Sequence, residues 1–193
     1  MDSEVRAIRQ GINEGHKAAS HPTILHELLN SDLPPEEKSD SRLGDEAQLV
    51  VAAGLVTTSW ALTVATFYIT QDPDILLKLR QELESQSSAV ETLDWHKLEK
   101  LPYLNGCVHE AIRLSYGVTI RAPRLSPDTE LTYGKWTIPR NTPVSMTSVH
   151  ILTNESVFPK PHSFVPERWH GKPDLERFFV PFGKGTRACL GIK

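Results

Sequence analysis

The sequence predicts a mainly α-helical fold with small β-sheets, and two observations predict it. Ten of the 14 prolines lie beyond residue 100. The first half is therefore free to be helical, while the second is cut into turns, short strands and extended segments. A run without any charged residue also extends from Ala47 to Gln71, far too long for a strand. The rest is ordinary for a globular chain. It has 193 residues, 39% hydrophobic and 23% charged, enough for one domain, or one and a piece. A net charge of -3 argues against a general nucleic-acid binder, which shows a basic footprint. Cys107 and Cys189 are too few for a disulfide framework and fit a reducing compartment. The opening MDSEVRAIRQ has no apolar stretch of the signal-peptide kind.

In chain order, residues 1–44 read as a helical and looped lead-in. Residues 1–20 are a polar helix, and His21-Pro22 breaks it, because a residue before proline avoids the helical region. Residues 23–29 form a short amphipathic turn or two. Residues 30–44, with Pro34-Pro35, are a surface loop. A long helix follows over 45–71, with Asp45 as its N-cap. Its length invites a membrane-spanning reading. Thr57, Thr58, Ser59, Thr63 and Thr66, together with acidic flanks, favour instead a helix through a large soluble core. Gly54 in its middle is expected where something approaches the backbone closely.

Residues 72–117 hold further helices. Asp72-Pro73 is an N-cap followed by proline at the first helical position, and leucines 76, 77, 79 and 83 give the next helix its apolar stripe. Pro102 opens a helix that ends near Gly117. Residues 118–153 alternate and turn, with LeuThrTyr and TrpThrIle either side of Gly134-Lys135, then ProValSerMet, as short strands and hairpins. Residues 154–193 are irregular, and so long an irregular stretch is usually functional.

Four local patterns carry chemistry. The first is Phe182-Gly-Lys-Gly185-Thr-Arg187-Ala-Cys189-Leu-Gly191. It is a glycine-rich loop with a cation two residues before a cysteine, suited to hold a thiolate as metal ligand or nucleophile. It is not a phosphate loop, because Phe178 stands where the first glycine belongs. The second is Glu110-Ala-Ile-Arg113, whose spacing puts both charges on one helical face. The third is Phe164-Val-Pro166-Glu167-Arg168-Trp169. The fourth is Ala53-Gly54-Leu55-Val56-Thr57-Thr58 in the long helix. Cys107 reads as a buried small apolar residue.

In this order and spacing the four resemble the C-terminal part of a cytochrome P450, a haem-thiolate monooxygenase, over residue 20 to the end. The wording around 102–126 and 139–150 is similar to filamentous-fungal members of secondary metabolism. The resemblance implies haem b with Cys189 as the axial thiolate, Arg187 on a propionate, Phe182 packed near the sulfur side, and Gly185 and Gly191 shaping the loop. Glu110, Arg113 and Arg168 would form a buried charge triad fixing the meander behind the haem. Arg124 would be a second propionate partner, with Arg121 competing for that role. Gly54 and the long helix would lie over the distal face, and Thr57 would steer proton delivery to bound oxygen. Val118, Thr119, Ile120 and residues 49–53 would contribute to a pocket for a small apolar substrate. A reductase drawing on NADPH would be the partner, and the parent protein would sit at the endoplasmic reticulum membrane, although no anchor is seen in this chain.

Two departures from the family pattern stand out. The residue before the helix threonine is usually acidic, and here it is Val56, which can neither relay a proton nor hold water as a carboxylate does. Family members are also much longer. The chain therefore reads as a fragment of a haem monooxygenase. The expectation for residues 1–193 alone is an exposed apolar long helix and weak haem retention. The alternatives are a non-catalytic remnant that does not hold haem, or a membrane-associated interaction segment.

Overall fold

The computed structural model describes residues 2–12, 23–85 and 94–192. The break expected at His21-Pro22 lies outside the described residues. The chain divides into two compact units, Met1–Ser59 and Trp60–Lys193. Among the described residues the architecture is mainly helical with one small sheet, as the sequence predicts.

In the first unit, α1 (Asp2–Arg9) and α2 (Ile24–Asn30) precede a 3₁₀ turn at Pro35–Lys38 and the start of α3 (Asp40–Gln71). The surface loop expected over 30–44 is corrected here. Helix α3 begins five residues before the expected boundary, and Asp45 lies inside it rather than capping it. The cause is a start signal hidden among polar residues. The Ser39 hydroxyl accepts from Arg42 N–H at 3.4 Å, Leu43 is buried, and Arg42 pairs with Glu46 at 2.7 Å one turn on. Such i,i+4 pairs support a helix without any apolar periodicity. Arg6 and Arg9 of α1 both reach the Asp40 carboxylate, at 3.2 and 3.0 Å. The close approach expected at Gly54 is not made by the described chain, since a Cβ there meets nothing within 4 Å. Leu49, Val51, Leu55 and Val56 of the long helix are exposed, as expected for residues 1–193 alone.

The second unit contains the rest of α3, then α4 (Pro73–Ser85), α5 (Trp95–Leu98), α6 (Pro102–Ser115) and α7 (Ser148–Leu152). The Asp72 carboxylate accepts from the amides of Asp74 and Ile75 at 3.0 and 3.3 Å, which fixes the start of α4. One apolar cluster joins three helices: Val64 of α3, Ile75 and Leu79 of α4, and Tyr103, Cys107, Ala111 and Leu114 of α6, closed by Phe164. Tyr68 stacks on the Phe164 ring at 5.2 Å. At the far end of α6 the Trp60 indole N–H donates to Ser115 O at 3.2 Å. The helix stops at Tyr116 and Gly117, both left-handed with φ 61°.

Strands β1 (Leu131–Tyr133) and β2 (Trp136–Ile138) pair antiparallel around Gly134-Lys135, with Gly134 at φ 57°. The strand expected at ProValSerMet reduces to a single bridge between Val144 and Arg124. Helix α7 follows where the sequence showed only turns. The remaining chain carries 3₁₀ turns at Pro166–Trp169, Pro173–Phe178 and Leu190–Ile192.

Two glycines set how closely the irregular chain lies on α6. A Cβ on Gly106 would stand 2.6 Å from the Pro166 carbonyl oxygen, and one on Gly117 would stand 2.5 Å from that of Pro181. Both contacts are with backbone, which cannot swing aside. Gly106→Ala and Gly117→Ala are each expected to cost about 1–3 kcal/mol of stability, the usual scale of overpacking. Gly54→Ala, in open space inside a helix, should be neutral or gain up to about 1 kcal/mol. Urea midpoints at constant slope measure all three, and equal effects would show that the two approaches are not tight.

Candidate functional site

Glu110 is wholly buried in the middle of α6 and accepts five hydrogen bonds. Its Oε1 accepts from Arg113 Nη2 at 2.7 Å, Arg168 Nε at 2.9 Å and the Val165 amide at 3.0 Å. Its Oε2 accepts from Arg113 Nε at 2.9 Å and the Trp169 indole at 3.0 Å. A carboxylate offers about four lone-pair sites, so this one is saturated. The i,i+3 spacing lets Arg113 meet it side-on with two parallel bonds, the strongest pairing geometry available to a guanidinium.

The arginines then spend their remaining donors on carbonyls. Arg113 donates to Leu152 O at 2.9 Å, Pro161 O at 2.6 Å and Ser163 O at 3.1 Å, so all five of its N–H groups are used. Arg168 donates to Pro159 O at 2.9 Å and Lys160 O at 3.3 Å. These oxygens converge because the chain reverses sharply at Lys160, which takes φ 53° without being glycine. That left-handed residue costs on the order of 1 kcal/mol, offset by carbonyls delivered to two cations. The structure thus brings Glu110, Arg113 and Arg168 together. It adds Val165 and Trp169, which the sequence placed in the Phe164–Trp169 pattern without a role, and carbonyls of residues 159–163, which no pattern marked.

From Trp169 an aromatic path leads to the cysteine loop. Trp169 packs edge-on to Phe179 at 5.1 Å, and Phe179 edge-on to Phe182 at 6.4 Å. His109 lies 5.0 Å from both Trp169 and Phe179. Its Nδ1 contacts Asn105 O at 2.9 Å. A carbonyl can only accept, so Nδ1 carries the proton. The Phe182 carbonyl accepts the Cys189 amide at 2.9 Å and closes the loop. Within it Ala188 N donates to Gly185 O at 3.0 Å, and Gly183 and Gly185 take φ 69° and 82°. Tight turns at both require glycine.

The two cysteines differ sharply. Cys107 is buried in α6, and burial, with Glu167 adding to it, pushes its thiol up to about 12. It stays a neutral thiol at any physiological pH. Cys189 is exposed at the end of its loop. Arg187 is exposed and makes no side-chain hydrogen bond or ion pair among the described residues. Arg121 and Arg124 are also exposed, and Arg124 Nη1 donates only to the neighbouring Pro123 O, at 3.4 Å. Among the described residues no three His, Cys, Asp or Glu gather as a metal cluster. In the first unit Thr57 Oγ1 donates to Ala53 O at 2.7 Å, one turn back.

Comparison with known proteins decides the family. The family model for cytochrome P450 matches residues 1–193. The chain belongs to the cytochrome P450 family. It is 50% identical over 181 residues to the cytochrome P450 monooxygenase sdnE of Sordaria araneosa, covering 90% of this chain and 35% of that protein. To the cytochrome P450 monooxygenase astB of Talaromyces wortmannii it is 45% identical over 201 residues, covering 100% and 40%. To N-acetyltryptophan 6-hydroxylase ivoC of Emericella nidulans it is 44% identical over 201 residues, covering 100% and 39%. The chain thus spans between a third and two fifths of the length of these curated relatives.

The cytochrome P450 family is one of haem-iron monooxygenases, and the loop around Cys189 suits such a group. It presents one soft sulfur donor, exposed at the end of the loop. A Cβ on Gly191 would lie 3.8 Å from Cys189 Sγ, an ordinary van der Waals contact.

Breaking the buried cluster leaves two guanidinium groups facing carbonyls with no counter-charge. Glu110→Ala is expected to cost about 3–5 kcal/mol, the usual consequence of stranding a buried charge. The check is the yield of soluble protein and its denaturation midpoint. A midpoint within about 0.5 kcal/mol of wild type, the scale of an ordinary surface change, would show that the cluster is not structural.

Proposed function

We propose that this chain is the iron-ligating part of a fungal haem-thiolate monooxygenase that inserts one oxygen atom from O2 into a small apolar substrate, in secondary metabolism. The single observation that carries the reading is the exposed Cys189 sulfur on a glycine-shaped loop, tied through Phe182, Phe179 and Trp169 to the buried Glu110 cluster. Haem iron with a thiolate ligand supplies oxygen activation, the sulfur donating electron density that favours O–O cleavage.

In this reading each group of the chain has a definite task. Cys189 ligates the iron, and Arg187 neutralises a propionate, with Arg124 or Arg121 serving the second. Phe182 packs beside the sulfur, while Gly183, Gly185 and Gly191 let the loop take its path. Glu110, Arg113 and Arg168 touch no substrate; they hold the meander that supports the loop. Gly54, where a Cβ would meet nothing within 4 Å, leaves the backbone of its own helix open to a close-lying group. Thr57 delivers a proton, which requires its hydroxyl to release the Ala53 carbonyl it now bonds. Val56 adds no acid to that relay. An NADPH-dependent reductase supplies electrons, and the whole protein resides at the endoplasmic reticulum membrane.

Another reading, for residues 1–193 taken alone, is favoured by one observation. Leu49, Val51, Leu55 and Leu62 of α3 are 59–64% exposed, and the helix is long and apolar enough to cross a membrane by length and composition. Exposed large apolar side chains in such number on one helix fit an interaction site or an aggregation liability. In that reading the isolated chain is a non-catalytic remnant or a membrane-associated segment.

One spectroscopic series tests both readings. In the full-length protein, Cys189→Ser abolishes the thiolate-type ferrous–CO band and Cys107→Ser leaves it. Survival of the band in both variants would overturn the ligand assignment. Residues 1–193 alone, supplied with haem, give a weak band and no NADPH-driven oxygenation with added reductase. A stable band with coupled product would remove the remnant reading.

Val56 is expected to limit coupling. Val56→Glu in the full-length protein raises product formed per O2 consumed, or changes the amount of peroxide released. An unchanged ratio and unchanged peroxide would show that another group already delivers protons.

A further inference from the structure

The first turn of α6 is held by a side chain from another helix. A helix start leaves four backbone N–H groups without intrahelical partners. In α6, Pro102 occupies the first position and has no N–H, and Asn105 N donates to Leu101 O at 2.9 Å. Tyr103 and Leu104 remain. Leu101, the capping residue, has no oxygen in its side chain to offer them. Both amides donate instead to the carboxylate of Glu82, Tyr103 N to Oε1 and Leu104 N to Oε2, each at 2.8 Å. Each oxygen takes one donor, so the carboxylate grips the helix start with two prongs. Glu82 is half-buried in the last turn of α4. Its negative charge sits at the positive end of the α6 dipole. The same two helices share Leu79, Leu83, Tyr103 and Cys107 in one apolar cluster, so the clamp is braced from behind.

We propose that Glu82 is a positioning residue for the Cys189 centre. By gripping the first turn of α6 it fixes the axial position of the helix that carries Glu110. This rests on the reading of Cys189 as haem ligand. Glu110 lies about 10 Å along the same helix. There it must meet Arg168, Val165 and Trp169, all from outside α6, within 2.9–3.0 Å. At the end of α6 Gly117 lies under the Pro181 carbonyl, at the base of the cysteine loop. An axial shift of α6 would move Glu110 and Gly117 together and disturb these contacts as a set. The carboxylate at 82 is thus placed to govern how well the loop presents its sulfur, without touching the loop.

The test uses the full-length haem-loaded protein with Glu82→Ala and Glu82→Gln. Alanine removes both acceptors. Glutamine keeps the shape but turns an NH2 group toward one of the two amides. Two quantities are measured: hydrogen exchange at the Tyr103 and Leu104 amides, and the share of ferrous–CO complex in the thiolate form at equal haem content. In Glu82→Ala exchange should speed up by about ten-fold or more, as for a lost hydrogen bond to a charged acceptor. The thiolate share should fall in the order wild type, Glu82→Gln, Glu82→Ala, with helix content unchanged. Unchanged exchange would overturn the clamp. Faster exchange with an unchanged thiolate share would overturn the positioning role and leave Glu82 as a local cap. If alanine prevents folding, the glutamine variant decides by the same two readings. A wild-type protein with no thiolate band would overturn the Cys189 reading itself, and the positioning role with it, a failure distinct from either of the others.

Discussion

A buried carboxylate, Glu110, sets the arrangement of the meander from Leu152 to Trp169. Burying a charge is costly unless it is paired and fully hydrogen-bonded. Here five donors answer the two oxygens, and they come from α6 itself, from the extended chain at Val165 and from the 3₁₀ turn at Arg168 and Trp169. A network of this kind has one low-energy arrangement, because any displacement strands a charge or an amide. The meander between Leu152 and Trp169 has almost no regular hydrogen bonding of its own. Its carbonyls at 159, 160, 161 and 163 are satisfied by arginines whose place Glu110 dictates.

Helix α6 works as the beam on which this cluster is mounted. Glu82 grips its first turn, the apolar cluster with α3 and α4 supports one face, and Gly106 admits the Pro166 backbone on another. At its end, the Trp60 indole takes the Ser115 carbonyl and Gly117 admits that of Pro181. The cysteine loop starts at that last contact. Cys189 is therefore linked to Glu110 twice, once through the end of α6 and once through Trp169, Phe179 and Phe182. A loop rich in glycine gains a fixed shape only from such anchoring, since glycine loses the most conformational freedom on ordering.

What the sequence made legible was local. The glycines and the cation before Cys189, and the three-residue step from Glu110 to Arg113, each express a geometry within a few residues. The helix starts at Asp72-Pro73 and Pro102 were legible for the same reason. Partners of Glu110 at separations of 55 to 59 residues left no local mark, nor did the reach of Glu82 across 21 residues to Tyr103. Arg168 was marked as part of a local pattern, but its pairing with Glu110 entered only through family resemblance. The start of α3 was missed because its first turns are stabilised by charge pairs around Arg42 rather than by apolar spacing. Gly106 passed unnoticed since a glycine inside a helix gives no sign of which backbone lies against it.

The central claim is that Glu110 and the distant Arg168 act as one energetic unit. A double-mutant cycle with Glu110→Ala, Arg168→Ala and the double variant, read as denaturation free energies, measures it most directly. The account predicts a coupling of about 1.5–3 kcal/mol, because once either partner is gone the loss of the other costs little more. Additivity of the two single effects within about 0.5 kcal/mol would contradict it.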